Sequence, residues 1–421
     1  MRAQVLKNRN MMLLVLGKSV SGVGTIMQTF ALSLYVLAMT DSPTAFASVL
    51  AVSMIPQLVL GPFAGVLVDR FDRKKIIVRL DILSGIVIAM TAVIFYYTGK
   101  LSMPVVYGQA LVLSLISLLF NPAISTVIPT VVEKEYLTDA NSLNSLSSSV
   151  SALLAPILAA FIYTTMGLFA VLVINAISFI ASAISEMFIH LPHVKKENSF
   201  GLAEYKADFV AGIKYVLNQK IIFLLVIVGF FLNFAFNPFM SIGLLVVLKS
   251  VLKAPDAYYG YLQSTLVLGM IIAPFIIGKL NKGSLIKTLI KSLSVTALVI
   301  SIAGLMLSGF FIDLSEFSLL AFALFTGLMF LVVILITVGN VMLGSFQQKI
   351  IPNDMLGRVI TITMSITTGA VPLGQMLFGF MYENYPIWLV VILQSVIMFI
   401  PLIALGMYTM RNEIEPNAES A

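Results

Sequence analysis

The most highly charged loop of this sequence lies near position 70, between two long apolar runs. Gly65 is followed by Asp69, Arg70, Arg73 and Lys74, and the next apolar run begins two residues later. If the apolar runs cross a membrane, this cluster must lie in water at a helix end, because charged groups next to lipid are costly. We expect its acid and cations to hold neighbouring helix ends together through electrostatic contacts.

Charges inside the apolar runs are few. Each is a functional candidate, because a charge at the centre of a bilayer costs at least about 2.5 kcal/mol. Lys18 lies roughly 10 Å from the start of the first run. Its ammonium either returns to the interface, pairs across a cavity or binds an anionic part of a substrate. Asp81 and Glu186 lie near the ends of their runs. We interpret Asp81 as part of the charged network at the helix ends, with a proton carrier as the alternative. We expect Glu186 at the interface and no carboxylate at mid-membrane.

Five side-chain amides fall near the middle of apolar runs: Gln28, Gln57, Asn233, Asn237 and Gln375. A buried amide needs hydrogen-bond partners, which another helix, water or a substrate supplies. Both helix-to-helix bonding and substrate binding remain open for each amide. Together with the lysine described above, they are the candidate substrate-binding residues, and Gln28 with Asn233 and Asn237 is the favoured set.

The sequence lacks catalytic and metal-binding signatures. His190 and His193, the only histidines, have no metal-ligand spacing to partners, and cysteine is absent. The glycines at positions 22 and 24 lie inside an apolar run without the Lys-Ser/Thr ending of a phosphate loop. We therefore expect no enzyme, no cofactor and no metal, and any pumping must draw on an ion gradient.

The composition is that of a membrane protein. Hydrophobic residues make up 59% of the 421 residues and charged residues 10%, with a mean hydropathy of +1.04, whereas soluble domains carry about 25% charged residues. Many apolar runs approach or exceed the roughly 20 residues that span a bilayer as a helix. These runs are too long for barrel strands. We predict an all-α membrane protein with 12 transmembrane helices in two six-helix bundles.

The predicted spans cover residues 11–38, 44–68, 76–98, 103–129, 140–164, 168–190, 221–248, 257–280, 285–309, 315–341, 357–382 and 387–409. One long polar stretch separates six spans from six. The predicted domains are therefore an N-terminal bundle at 1–192, a linker at 193–220 and a C-terminal bundle at 221–421. Apolar residues recur at near-helical spacing within the linker, which predicts an amphipathic helix on the cytoplasmic membrane surface; an unstructured linker is the alternative.

The distribution of basic residues gives the orientation and excludes a nucleic-acid partner. Of the 25 Lys and Arg residues, 21 fall in segments on one side of the predicted membrane. The other side receives Lys100, Lys249 and Lys253, and one lysine lies inside a span. Because cytoplasmic loops are enriched in Lys and Arg, both termini are expected in the cytoplasm.

The charged loop resembles the signature between the second and third helices of major facilitator superfamily transporters. Most members carry Gly where this chain has Asp72, and the variant Asp-Arg-x-Asp-Arg-Lys is typical of a subgroup similar to macrolide-efflux and enterobactin-exporter proteins. The likeness extends over nearly the whole chain. Its other stretches are 61–70, 121–123, 137–141, 208–215 and 351–359.

The resemblance implies a cytoplasmic latch between this loop and the start of the eleventh helix. Asp69 would face the N-terminal end of that helix, whose partial positive charge suits an anion. Arg358 would lie close by, and Gly65, Arg70, Arg73, Lys74 and Asp81 complete the latch set. The alternative is that the cations only anchor the loop at the membrane surface.

Two positions depart from the pattern of related exporters. Leu113 stands where many carry an arginine in the fourth helix, and Thr25 stands where many carry an acid after a glycine in the first helix. Proton antiport is therefore implied by the resemblance alone.

The leading functional prediction is a secondary active transporter that exports amphipathic small molecules, such as macrolide-like drugs, by alternating access. The alternatives are a dedicated metabolite or siderophore exporter and a non-transporting membrane scaffold or sensor, which the two departures favour. The expected partners are a small-molecule substrate, the lipid bilayer and H+ as coupling ion. We expect a monomer in the plasma membrane, here the cytoplasmic membrane of a bacterium.

Overall fold

A computed structural model describes residues 5, 7–68, 72–133, 136–189, 202–280, 284–310 and 314–411. Every regular element in these residues is a helix, and ten helices are long and apolar enough to cross a membrane. The all-helical class predicted from composition is confirmed.

Five helices precede the linker. They are α1 (Arg9–Thr40), α2 (Pro43–Val68), α3 (Arg73–Thr98), α4 (Met103–Val131) and α5 (Leu137–Met187). Gly167 interrupts α5 with a φ of 77°, a conformation that glycine adopts without steric cost. It divides α5 into a first arm, 137–166, and a second arm, 168–187, which correspond to the fifth and sixth predicted spans.

Seven helices follow. They are the linker helix α6 (Leu202–Asn218), α7 (Lys220–Val251), α8 (Asp256–Leu280), α9 (Leu285–Met306), α10 (Leu319–Ile350), α11 (Asn353–Asn384) and α12 (Ile387–Arg411). A helix is present where the linker helix was predicted, and its place on the cytoplasmic membrane surface stays a prediction. The tenth span extends nine residues beyond its predicted end at 341, because the backbone hydrogen bonds continue to Ile351. The polar residues 345, 347 and 348 do not stop the helix.

Side-chain caps determine where several helices begin. The Asn8 carboxamide accepts a hydrogen bond from the Met11 amide at 3.1 Å at the start of α1. Asp72 does the same for the Lys75 amide at 3.1 Å at the start of α3. Capping by Asp satisfies a backbone donor that would otherwise lack a partner. This accounts for an acid at the loop position where a glycine is more common.

The chain divides into two compact units. The first contains α1, most of α2, α3, α4 and α5, and the second contains α6, α7, α9 to α12 and most of α8. Within the first unit, α1 packs along α5, and α3 packs against α4 and α5. Within the second unit, α7 packs against α11 and α12, and α9 packs against α10 and α12.

Candidate functional site

The structure describes only part of the predicted latch. Asp69 and Arg70 lie outside the described residues. Gly65 belongs to the last turns of α2 and Arg73 is the first residue of α3. Lys74 is half-buried, and the exposed Arg358 directs Nη1 to the Met355 sulfur at 3.8 Å near the start of α11. The latch therefore stays a prediction.

Lys18 bridges two helices of the first unit. Its Nζ donates a hydrogen bond to Asn144 Oδ1 at 2.8 Å, which joins α1 to the first arm of α5. One residue further on, the Ser19 and Ser147 hydroxyls form a short hydrogen bond. The lysine therefore neither extends freely to the interface nor pairs with an acid in this conformation.

Gln28 joins two helices through a hydrogen bond. Asn175 Nδ2 on the second arm of α5 donates to Gln28 Oε1 at 2.6 Å, and both residues are buried. Ser178 Oγ donates to Asn175 Oδ1 at 3.0 Å. Gly24 is required beside them, because a Cβ at this position would collide with Asn175 Oδ1 and Ser178 Oγ. For Gln28, helix-to-helix bonding is what the structure shows.

The other amides fall into two groups. Asn233 Nδ2 donates to the Gly229 carbonyl of its own helix at 2.9 Å, and Gln375 is buried with Oε1 lacking a partner among the described residues. Gln57 and Asn237 are exposed. The structure therefore does not bring the six candidate residues into one group within either unit.

Pro238 breaks the regular helix α7. Proline lacks an N–H, so the Phe234 carbonyl four residues earlier loses its helical partner. The backbone continues as a π-helix at Phe239–Gly243, and such segments occur frequently at functional sites. The Phe234 carbonyl points at Gly374 of α11, where a Cβ would overlap its oxygen.

A buried polar chain joins α11, α12 and α7 next to this break. Tyr382 Oη donates to Gln394 Oε1 at 2.5 Å, and Gln394 Nε2 donates to the Ala235 carbonyl at 3.1 Å. Both side chains are buried, with exposures of 4% and 0%. The chain fixes the three helices around the irregular part of α7.

Asp81 and Glu186, which lie near the ends of their predicted spans, are both buried inside the first unit. The interfacial position expected for Glu186 stays a prediction. Their exposures are 1% and 0%, and Asp81 Oδ2 and both Glu186 oxygens lack hydrogen-bond partners among the described residues. Asp81 of α3 acts electrostatically on Glu186 of the second arm of α5. The signal in the sequence was the spacing of Asn175, Ser178, Ser182 and Glu186, which places polar residues along one helical face.

Within the described ranges, no three His, Cys, Asp or Glu side chains converge as metal ligands. What the two units offer is instead a set of buried polar contacts between helices, a proline break and a pair of buried carboxyls.

Comparison with known proteins shows which family this chain is similar to. The model of the transmembrane secretion effector family (MFS_3) matches residues 5–421. Macrolide efflux protein A of Streptococcus pyogenes is 25% identical over 363 residues, which cover 86% of each chain. Macrolide efflux protein A of Enterococcus faecalis is 26% identical over 333 residues, 78% of this chain and 99% of the relative. The uncharacterized MFS-type transporter YkuC of Bacillus subtilis (strain 168) is 26% identical over 423 residues, 94% and 93% of the two chains.

Solved structures share the fold. A bacterial homologue of the iron transporter ferroportin, in its inward-facing state, aligns with a TM-score of 0.73 at 18% identity over 94% of this chain and 98% of that one. The nucleoside transporter NupG aligns with a TM-score of 0.72 at 13% identity, over 94% and 98%. Together with the family match over almost the whole length, this shows that the chain belongs to the transmembrane secretion effector family of the major facilitator superfamily and is a membrane transporter, not an enzyme.

Proposed function

We propose that this protein is a secondary active transporter that exports amphipathic small molecules of macrolide-like character by alternating access. The observation that carries the proposal is the family match over residues 5–421, joined by alignment with two macrolide efflux proteins over 86% and 78% of this chain. The absence of a phosphate-loop motif from the sequence leaves an ion gradient as the energy source. H+ is the proposed coupling ion.

The proposed topology has twelve spans and cytoplasmic termini in a bacterial plasma membrane, with the protein as a monomer. Gly167 divides α5 into two helices, so that α1 to α5 supply six helical segments and α7 to α12 supply six more. Ten of these segments are apolar enough to span a bilayer, and we assign the first arm of α5 and α8 as the other two. The basic residues at alternate loops support this orientation.

For substrate binding, Gln57 and Asn237 are the strongest of the candidate amides. Each is exposed within a predicted span, and an exposed amide there faces either lipid or an internal aqueous space. Because contact with lipid leaves its hydrogen-bonding groups unsatisfied, the internal space is favoured. Lys18, Gln28, Asn233 and Gln375 complete the proposed set of candidates.

The direct test is a transport screen in proteoliposomes with imposed pH and sodium gradients. Macrolides, lipophilic dyes and siderophore-like compounds should be offered in parallel. We expect several amphipathic compounds to move against their gradients when a pH gradient is present. Movement of a single compound would favour the dedicated exporter, and no movement under either gradient would refute the proposal.

The latch has its own test. Asp69→Asn should lower turnover several-fold and leave substrate binding intact, because the substitution removes an anion that stabilises one conformation without touching the substrate. Glu316→Gln, which removes an exposed carboxylate before α10, is the matched control. Loss of binding in a folded Asp69→Asn protein would place Asp69 in the binding pocket instead.

A further inference from the structure

The first unit contains two buried carboxyls, of which Asp81 has so far been assigned only to the predicted latch and Glu186 has no assigned role. Asp81 and Glu186 are 1% and 0% exposed and interact electrostatically. The Ser182 hydroxyl lies beside Asp81, yet its geometry falls short of a hydrogen bond, and its oxygen has no other partner among the described residues. Asp81 of α3 and Ser182 and Glu186 of α5 are thus three buried polar groups on helices that pack together, and they have unused hydrogen-bonding capacity.

An apolar cluster lies on the side of the pair toward the beginning of α3 and the end of α5. Ile77, one turn before Asp81, and Ile189, three residues after Glu186, are both 0% exposed. They belong to a buried cluster that also contains Met11 of α1. Exchange of ions with water at this end of the unit is therefore blocked in this conformation.

A column of polar side chains leads from the pair in the other direction. Ser182, Ser178 and Asn175 recur along one face of the second arm of α5, and all are buried. They cover seven residues, or about 10 Å of helix. Asn175 then donates to Gln28 near the middle of α1.

Glycines on the facing side of α1 allow the column to pack closely against this helix. A Cβ at Gly17 would meet Ser182 Oγ at 3.2 Å, and one at Gly24 would collide with Asn175 and Ser178. Ser21, 4% exposed, lies between these two glycines. Water molecules held between hydroxyl and amide groups spaced in this way can carry a proton along the column.

The negative charge of the two carboxylates indicates which ligand they bind. Two ionised carboxylates buried side by side repel each other and lack hydration, so such a pair retains a proton or binds a cation. Both carboxyls are buried, and the polar groups that act on the pair are the Ser182 hydroxyl and the neighbouring carboxyl. A metal ion such as Ca²⁺ takes six to eight oxygen ligands, and no third acidic or histidine ligand lies here in the described part of the chain.

The cations on the helices that pack around the pair are hydrogen-bonded to other groups, exposed, or placed at the start of a helix. On α1, Lys18 donates to Asn144 and Arg9 is exposed. On α3, Arg79 is exposed, and Lys74 and Lys75 lie in the first turn of the helix. The sequence of α4 contains no Lys, Arg, Asp or Glu.

We propose that Asp81 and Glu186 form a proton-binding site, with the column from Ser182 to Gln28 as its access route. The site holds one proton between the two carboxyls; a second proton, arriving along the column, forms an O–H bond on the remaining carboxylate and leaves by the reverse step. This deepens the proposed function, on which its coupling role rests: the proton bound here is the one exchanged for exported substrate.

The first test needs no substrate. Infrared difference spectra of the purified protein should show the C=O stretch of a buried protonated carboxylic acid, and this band should be lost as the pH is raised. The band should shift in D₂O, change in either Asp81→Asn or Glu186→Gln, and vanish in the double variant. Glu316→Gln should leave it unchanged. A spectrum in which the double variant matches the wild type, or in which sodium but not pH alters the carboxylate bands, would overturn the site.

The second test separates the site from the transport function. In proteoliposomes, Glu186→Gln should abolish accumulation driven by a pH gradient, while exchange of substrate for substrate continues at near wild-type rate. A purely structural pair would lower both activities together or neither. If the wild type moves no compound, the proposed function fails, whereas the infrared result still decides whether the proton site exists.

Discussion

The contact between α7 and α11 allows a sharp test of packing. Gly374 faces the Phe234 carbonyl, which Pro238 has deprived of its helical partner. A Cβ at Gly374 would overlap the carbonyl oxygen and lie 2.8 Å from the carbonyl carbon. Since unstrained carbon atoms approach to about 3.5 Å, the carbon contact alone requires the two backbones to separate by about 0.7 Å to accept Gly374→Ala, and the overlap with the oxygen requires more.

The magnitude follows from a matched control. Gly344 lies within α10, and a Cβ there meets no described atom outside its own helix within 4 Å. Both Gly→Ala substitutions gain about 0.5 to 1 kcal/mol of helix propensity, so the difference between them isolates the overpacking cost. That cost is about 1 to 3 kcal/mol. The upper part of this range is expected, because the atoms met at Gly374 belong to backbone that has no rotamer to change.

The assay is thermal unfolding of the purified protein in detergent, followed by size-exclusion chromatography. With about 2 to 4 °C per kcal/mol for a unit of this size, Gly374→Ala should melt about 2 to 12 °C below Gly344→Ala. Equal midpoints for the two variants would show that α7 and α11 are not in the close contact described here, and the account of the proline break would fail with it.

Three further substitutions test other contacts. Tyr382→Phe leaves buried Gln394 Oε1 without its donor and should cost about 1 to 3 kcal/mol; a midpoint equal to that of the wild type would contradict the hydrogen bond. Asp72→Ala removes the cap of α3 and should cost about 1 kcal/mol, most of it recovered by Asp72→Ser; equal losses for both would argue against capping. Gly212→Leu should release α6, because a Cβ at this position already collides with Ile362 of α11; limited proteolysis should then cut α6 faster than in the wild type, and an unchanged rate would contradict the docking.

Helices and their ends were largely predictable, because they depend on local features. Runs of apolar residues set the spans, and capping residues such as Asp72 set their beginnings. The error at the end of α10 arose where polar residues 345, 347 and 348 do not break the backbone hydrogen bonds of the helix. Polarity therefore does not mark the helix boundary there.

The candidate site was less predictable. Gln28 was correctly singled out as a polar group inside a span, but its partner Asn175 lies 147 positions away, and no periodicity within one helix reveals such a pair. The interfacial position of Glu186 stays a prediction, and its burial does not follow from a place near the end of an apolar run. In the folded unit the apolar cluster around Ile189 covers that end.

By itself, the sequence determined that this is an all-helical membrane protein with a basic side, and the family likeness of its charged loop pointed to a transporter. These properties follow from the transfer energies of individual side chains and from short motifs, which act along the chain. Only the tertiary structure decided which polar groups are paired between helices, that the Phe234 carbonyl meets Gly374, and that Asp81 and Glu186 share one buried place. Those facts depend on the rotation and spacing of packed helices, which side chains distant in sequence fix together.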